Sequence, residues 1–464
     1  MTISAPVSLP PLIHVITVTA GLLIYVLATR IGKQQRRPSV ALAWIVTIVA
    51  FPYAGIPLFL FFGTRKFPRP LHRLVAPAAE PAHPSAPAWS TRLLEAMNIE
   101  PLTGNAAVRL HKNGDESWRQ LLDLIDSASH ELDICTFLLG DDAIGDKIVD
   151  KLIGCANNGV RIRLLLDSVG SMGTSRKRIR QMEYAGVLVR RFMPILHNPI
   201  RGRTNLRIHR KLALADRQKL WSGGRNLADE YFIDRPGKPA WIDLSFVIEG
   251  PLAVQAHAQF ERDWLFACGR HESADATEFK GESASGSIPA QWVPSGPDHA
   301  DDTIYNLLLA AACHAHSRII AVTPYFVPND TLLEAWCLAC RRGVAITLIV
   351  PEKSNHLLAD LARGRALLAM AEAGARVLLC PDMVHAKMIA IDDALALCGS
   401  VNLDGRSLFL NYEAMAVFYG SDEIEWFGAW HAELAQRSSV FIARQPSWMR
   451  DTIEGIVRVI GFEL

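Results

Sequence analysis

The chain has 464 residues, enough for two or three domains, with 48 Lys and Arg set against 47 Asp and Glu for a formal net charge of +1. That balance excludes a polycation built for non-specific nucleic-acid binding, so no nucleic-acid partner is expected. Half of the residues are hydrophobic (50%), high for a wholly soluble enzyme, and the eight scattered cysteines argue against a disulfide framework and for a reducing compartment.

In chain order, residues 11–29 are apolar apart from His14 and long enough to span a bilayer. No positively charged stretch precedes them, so a cleaved signal peptide is not expected. Arg30, Lys33, Arg36 and Arg37 follow. A second apolar run, Val40 to Gly63, holds Pro52, Gly55 and Pro57 near its middle. It reads as a kinked span or as a re-entrant hairpin. Arg65, Lys66, Arg69 and Arg73 come next, so basic residues are equally many on both flanks and do not orient the chain. Residues 1–66 are thus a membrane region, and 67–105, rich in Pro and Ala, read as a linker.

The remainder reads as two related α/β halves, 106–285 and 286–464. In the first, helix is expected over Trp118 to Ser129, a strand over Leu132 to Phe137, helix over 142–156 and a strand over Val160 to Leu166. In the second, helix is expected over Tyr305 to His316, a strand over Ile319 to Thr323, helix over 330–342 and a strand over Val344 to Val350. The phrases N-G-V-R-I-R-L-L-L-D and R-G-V-A-I-T-L-I-V-P match in position and pattern. Alternating strands and helices imply a largely parallel sheet in each half. Cys337 and Cys340 form a lone C-x-x-C with no second ligand pair, so neither zinc nor redox chemistry is expected there.

Each half then carries the same pattern, H-x-K-x4-D-x6-G-[SG]-x-N. The first copy holds His209, Lys211, Asp216, Gly223, Gly224 and Asn226. The second holds His385, Lys387, Asp392, Gly399, Ser400 and Asn402. Both copies read as hairpins, the first strand running Leu206 to Ala215. Asp216 is seven residues past His209, roughly 23 Å along a strand, so it suits a turn or scaffold role rather than orienting the histidine. Folding the hairpin back brings Gly223 to Asn226 beside His209 and Lys211, and Gly399 to Asn402 beside His385 and Lys387. Lys and Asn donate to phosphoryl oxygens, glycines open the backbone, and histidine attacks phosphorus or moves a proton. No carboxylate or Cys/His set suggests a metal or other cofactor, which leaves charge neutralisation to the lysines. In-line displacement needs a nucleophile on one side and a proton donor on the other, so the two motifs are expected to face each other. Symmetric motifs do not say which histidine attacks; His209 is taken as the nucleophile.

One further strand comes after each hairpin, W-I-D-L-S-F-V-I-E-G and N-Y-E-A-M-A-V-F-Y-G, with Asp243 and Glu413 each seven residues before a glycine. A basic set precedes the first motif (Arg190, Arg191, Arg201, Arg203, Arg207, Arg210), with Arg176, Lys177, Arg178 and Arg180 earlier. It reads as a solvated face or as an attractor of anionic lipid headgroups. The region after Ser421, with Trp426, Phe427, Trp430 and Trp448, reads as helical and either closes the second half or touches the membrane.

The duplicated His-Lys-Asp motif resembles the phospholipase D superfamily, and within it the chain is similar to bacterial cardiolipin synthases. The run A-L-A-W-I-V…F-P-Y-A-G-I-P-L-F-L-F-F-G resembles their amino-terminal membrane region. Gly224 in place of the commoner serine fits the same subfamily. The segment T-P-Y-F-V-P at 323–328 also resembles the family and is expected to line the cleft. The resemblance implies two halves packed about a pseudo-two-fold axis and a phosphatidyl-histidine intermediate. It implies transfer of a phosphatidyl group between two phosphatidylglycerols with release of glycerol, at the inner membrane of a bacterium with the catalytic body in the cytoplasm. Other anionic phospholipids are expected partners. It also implies that a carboxylate near the closing strand hydrogen-bonds each histidine, which assigns Asp243 to His209 and Glu413 to His385. Hydrolysis by a phospholipase D, or a phosphodiesterase of the same superfamily, stays open as an alternative.

Overall fold

The computed structural model describes residues 9–31, 38–63, 85–194, 206–269, 286–299, 301–444 and 454–455. The basic clusters at 33–37 and 65–73, Arg201, Arg203 and Trp448 lie outside these residues.

The first apolar run is one helix, Leu9–Ile31, whose segment Leu12–Thr29 is long and apolar enough to cross a membrane. Its outer face exposes Leu12, Ile13, Val15, Ile16, Leu23, Val26 and Leu27. The second run is two short helices, Pro38–Ala50 and Pro52–Phe62. The break falls at Phe51, because Pro52 cannot donate a backbone hydrogen bond to continue the first helix. The two pack against each other so closely that a Cβ on Gly55 would lie 2.8 Å from the Thr47 carbonyl oxygen. At about 1.5 Å per residue neither reaches the roughly 30 Å of a bilayer core. Tyr25, Ile48 and Phe59 form the buried centre of this three-helix unit.

Each half of the rest is a sheet with helices against it. The first sheet runs Ala107–His111, Ser245–Glu249, Lys219–Gly223, Leu212–Ala215, Glu131–Thr136, Arg161–Asp167, Leu188–Phe192. The second repeats this order as Ile288–Ser295, Glu413–Phe418, Leu395–Gly399, Met388–Ile391, Arg318–Val322, Ala345–Pro351, Arg376–Cys380. Two outer strands extend it, Thr103–Asn105 and Ser439–Val440. The expected largely parallel sheets are therefore mixed. Only the last three strands of each shared order are parallel. They are joined through helices, whereas the two strands of each motif hairpin return antiparallel across a short turn and the closing strand pairs antiparallel after a longer connection.

The helices Ala143–Asn157, Thr303–His314 and Asp330–Arg341 fall within two residues of the expected bounds, and Gly114–Ser127 starts four residues before the expected Trp118. Asp142 caps Ala143–Asn157 and Asn329 caps Asp330–Arg341, each accepting a backbone N–H at 2.9 Å. The end of the stretch read as a linker is not a spacer. Helix Ala88–Ala96 sends Leu94 into the core of the second half, and Thr103–Asn105 pairs with Ile288–Ser295.

The two halves share a core in which Phe246 and Phe418 lie ring to ring at 5.4 Å. They also exchange backbone bonds reciprocally. His209 and Arg210 donate to the Tyr412 carbonyl, and His385 and Ala386 donate to the Ile242 carbonyl. Tyr412 precedes Glu413 and Ile242 precedes Asp243, so each motif segment pairs with the closing strand of the other half. This is why the regular strand begins only at Leu212, three residues past His209, and not at Leu206.

Candidate active site

Both motif aspartates sit at the hairpin turns, with φ of 51° at each. Asp216 accepts the backbone N–H groups of Ser129, His130 and Glu131. Asp392 does the same for His316, Ser317 and Arg318. Burial pushes the Asp216 carboxyl up, but these N–H donors outweigh it and hold it at about 2. Each aspartate thus ties the hairpin to the start of the first parallel strand, away from the histidines.

At the other end the two motifs meet. His209 Nδ1 lies 3.0 Å from Glu413 and 3.2 Å from the Ser400 carbonyl, both in the second half. His385 Nδ1 lies 2.7 Å from Asp243, in the first half. The carboxylates are therefore crossed relative to the expected pairing: Glu413 serves His209 and Asp243 serves His385. The physical reason is the exchange of backbone bonds, which carries each histidine onto the other half's closing strand. Both carboxylates are fully buried. Burial raises them, yet Lys387 and His385 bring Asp243 below its ordinary value, and His209, Lys211 and Ser400 do so for Glu413.

Lys211 and Lys387 are buried between the motifs. Desolvation lowers Lys211 to about 7 against the pull of Glu413, and lowers Lys387 to about 8 against that of Asp243. Lys387 Nζ lies 2.7 and 3.0 Å from the two ring nitrogens of His385. Burial and this ammonium push His385 down to about 3. Burial also lowers His209, whose Nε2 has no hydrogen-bond partner among the described residues. Asn226 and Asn402 are buried, each with an amide oxygen that has no partner among the described residues.

The Gly224/Ser400 difference has a steric basis. Ser400 Oγ donates to Glu413 at 2.5 Å. A Cβ on Gly224 would lie 2.2 Å from Asp243 Oδ1, so the first half has no room for a side chain there. The T-P-Y-F-V-P segment flanks the second motif, with Phe326–Val327 pairing Leu403–Asp404.

Several residues of the site carry no signal in the motif spacing. The ring of Phe137 packs 5.2 Å from His209. Tyr231 and Trp241 hold the His385 ring at 5.1 and 5.5 Å, and Asn226 Nδ2 donates to the Tyr231 hydroxyl at 2.7 Å. Arg207 and Arg210 belong neither to a solvated face nor to a headgroup attractor. Both are buried, Arg207 bonded to Asp167 and Arg210 to Asp263, Asp298 and the Glu413 carbonyl. Arg210 thereby fastens the first motif to the second half. Its place inside the motif, between His and Lys, was the available signal. Among the described residues, one group of His and acidic side chains brings its ligand atoms within 4.8 Å: Glu131, Asp133 and His257. Arg163 bonds both Asp133 oxygens at 2.6 Å, so this is a charge-balanced network beside the hairpin turn.

The family model described as "Cardiolipin synthase, PLD-like domain" matches residues 121–264 and 308–434, and "Phospholipase D-nuclease N-terminal" matches 21–63. Cardiolipin synthase A of Klebsiella pneumoniae is 30% identical over 462 residues, covering 92% of this chain and 94% of that one. Cardiolipin synthase 1 of Bacillus anthracis is 30% identical over 421 residues, covering 84% and 82%. Among solved structures, phosphatidylserine synthase of Haemophilus influenzae aligns with a TM-score of 0.62 at 13% identity, covering 81% of this chain and 98% of that one. With two matched repeats, relatives at this identity along nearly the whole chain and paired His-Lys motifs in one buried site, the chain belongs to the bacterial cardiolipin synthase family of the phospholipase D superfamily.

Proposed function

We propose that the chain is a phosphatidyltransferase that makes cardiolipin from two molecules of phosphatidylglycerol through a phosphohistidine. The observation that carries this reading is the convergence of both His-Lys pairs, each histidine held by a buried carboxylate of the opposite half. A carboxylate on Nδ1 fixes the tautomer and leaves Nε2 for chemistry, as in a serine-protease triad.

His209 acts as the nucleophile, a role supported by its unbonded Nε2. Its attack on phosphorus breaks the bond to the glycerol oxygen, and that oxygen takes a proton from His385. Diacylglycerol phosphate is then bonded to His209 Nε2. His385 next removes the proton from a hydroxyl of the second phosphatidylglycerol. The resulting oxygen attacks phosphorus, closes the new ester and frees His209. Lys211, Lys387, Asn226 and Asn402 hold the phosphoryl oxygens while charge builds on them. The bound phosphodiester, being anionic, raises both lysines and His385 toward their charged forms, while His209 reacts from its neutral form. Asp216 and Asp392 keep the hairpins in place.

The enzyme is membrane-associated through its amino-terminal helices. We assign it to the bacterial inner membrane, anchored by Leu9–Ile31 with the short helical pair as a re-entrant element and the catalytic body on the cytoplasmic side. Eight free cysteines agree with a reducing compartment. The test is product analysis on purified protein in mixed micelles with radiolabelled phosphatidylglycerol. Cardiolipin and free glycerol in equal amounts, both absent in His209→Ala and His385→Ala, are expected. Phosphatidic acid as the sole lipid product would make water the acceptor and overturn the reading.

A further inference from the structure

Tyr231 is 3% exposed, sits on a short turn at Asp229–Tyr231 and belongs to neither motif. The turn is pinned to the start of helix Ala143–Asn157. Asp229 N donates to Asp142, and Ile144 N donates to Asp229, both at 2.9 Å. Arg225 Nε reaches the Tyr231 carbonyl at 3.3 Å. The ring edge lies against His385. The ring is therefore held against the histidine of the second motif while its hydroxyl meets the amide of the first.

That hydroxyl meets the Asn226 amide at 2.7 Å, while the amide oxygen has no partner among the described residues. A phenol both accepts and donates, so it can hold either end of an amide. With the amide turned by about 180°, Oδ1 takes the phenolic proton and both N–H groups are released for another acceptor. An anionic phosphodiester wants donors, and a buried amide oxygen without a partner is costly. Both conditions favour the turned arrangement when a phosphodiester arrives.

The second half lacks this device. Five residues after Asn402, at the offset that separates Tyr231 from Asn226, stands Ser407. Both its Oγ and Asn402 Oδ1 are buried without a partner among the described residues. A serine is too short to do what the phenol does.

We infer that Tyr231 is a positioning residue that sets which end of the Asn226 amide faces the phosphodiester, so that the two motifs do not hold the phosphoryl group alike. This rests on the proposed phosphatidyl transfer for its substrate and not for its geometry. Setting one donor pair correctly is worth roughly tenfold in kcat. Removing the hydroxyl leaves the ring contacts intact, so KM should stay within about twofold.

The test is a double-mutant cycle with Tyr231→Phe and Asn226→Ala. It is read on p-nitrophenol release from phosphatidyl-p-nitrophenol, and in parallel on cardiolipin formation. We expect Tyr231→Phe to lower kcat roughly tenfold with KM held, and to add less than about twofold in the Asn226→Ala background. Ser407→Ala should stay within about twofold of wild type. Equal effects of Tyr231→Phe in both backgrounds, or none in either, would overturn the inference. A wild type that releases p-nitrophenol but makes no cardiolipin would sink the transferase reading while the cycle still tests Tyr231.

Discussion

Glu413→Gln isolates the crossed pairing. The wild-type carboxylate accepts from three groups at once: His209 at 3.0 Å, Ser400 Oγ at 2.5 Å and Asn411 Nδ2 at 3.3 Å. A carboxamide of the same shape has one acceptor oxygen, and its N–H2 facing Nδ1 drives the imidazole proton onto Nε2, the atom that must attack. Putting the proton of a triad imidazole on the wrong nitrogen costs up to roughly 10⁴ in rate, which is about 5 kcal/mol at about 1.4 kcal/mol per factor of ten. Phosphatidyl-p-nitrophenol sorts the consequences, because nitrophenolate leaves without protonation. A defect in the nucleophile abolishes the first release of p-nitrophenol. A defect in the proton donor leaves a stoichiometric burst and blocks every later turnover. Glu413→Gln should behave like His209→Ala and give no burst. Asp243→Asn should behave like His385→Ala and keep one. The opposite sorting, Glu413→Gln with a burst and Asp243→Asn without, would refute the crossed assignment.

Lys211→Met should abolish transfer and yet raise Tm at pH 7, because burial holds this lysine at about 7 against an unfolded value near 10.4. Between those values the unfolded chain binds the extra proton, so wild-type stability rises with pH and the advantage of the variant, roughly 2–4 kcal/mol at pH 7, should shrink toward pH 10. Activity moves the other way. As Lys211 and then Lys387 lose their protons, kcat/KM should begin to fall near pH 7 and fall more steeply above about pH 8, and a profile flat to pH 10 would contradict their role as charged clamps. Asp216→Asn should lower thermal stability by about 1–3 kcal/mol through the loss of charged acceptance from three backbone N–H groups. Its folded fraction should keep a rate within about threefold of wild type, since the turn lies away from the histidines. Gly224→Ser, which drives a Cβ into Asp243, should cost about a hundredfold in kcat, whereas Ser400→Gly, which removes one donor to Glu413, should cost about tenfold.

Much of this fold could be read from local pattern. The first two helices and first two parallel strands before each hairpin are short-range objects with clear periodicity, and they fall within two residues of where the spacing puts them, except that helix Gly114–Ser127 starts four residues before Trp118. The duplicated His, Lys and Asn were legible for the same reason. Asp216 could be removed from the histidine by distance along a strand alone, and it caps backbone N–H groups at the turn. What sequence could not supply was anything decided between the halves. The identical offsets of Asp243 and Glu413 mark them as equivalent, but equivalence does not say whether each serves its own histidine or the other one. That choice was made by the backbone bonds from His209 to Tyr412 and from His385 to Ile242, about 200 and 140 residues apart in sequence. Arg207 and Arg210 were misread for a related reason: a basic run looks solvated until Asp167, Asp263 and Asp298 arrive from distant elements to pair it. Tyr231 escaped notice because an aromatic in a loop has no period, and its meaning comes only from the amide it touches.

Transfer through a covalent phosphatidyl-histidine on His209 is tested most directly by trapping the intermediate. Enzyme mixed with radiolabelled phosphatidylglycerol is quenched in base, where phosphohistidine survives, then digested and mapped by mass spectrometry. The label is expected on the peptide that carries His209, at a stoichiometry that rises in His385→Ala when phosphatidyl-p-nitrophenol is the donor. Label on His385 would reverse the two roles. A wild type that forms cardiolipin at full rate with no label on either histidine would contradict the mechanism.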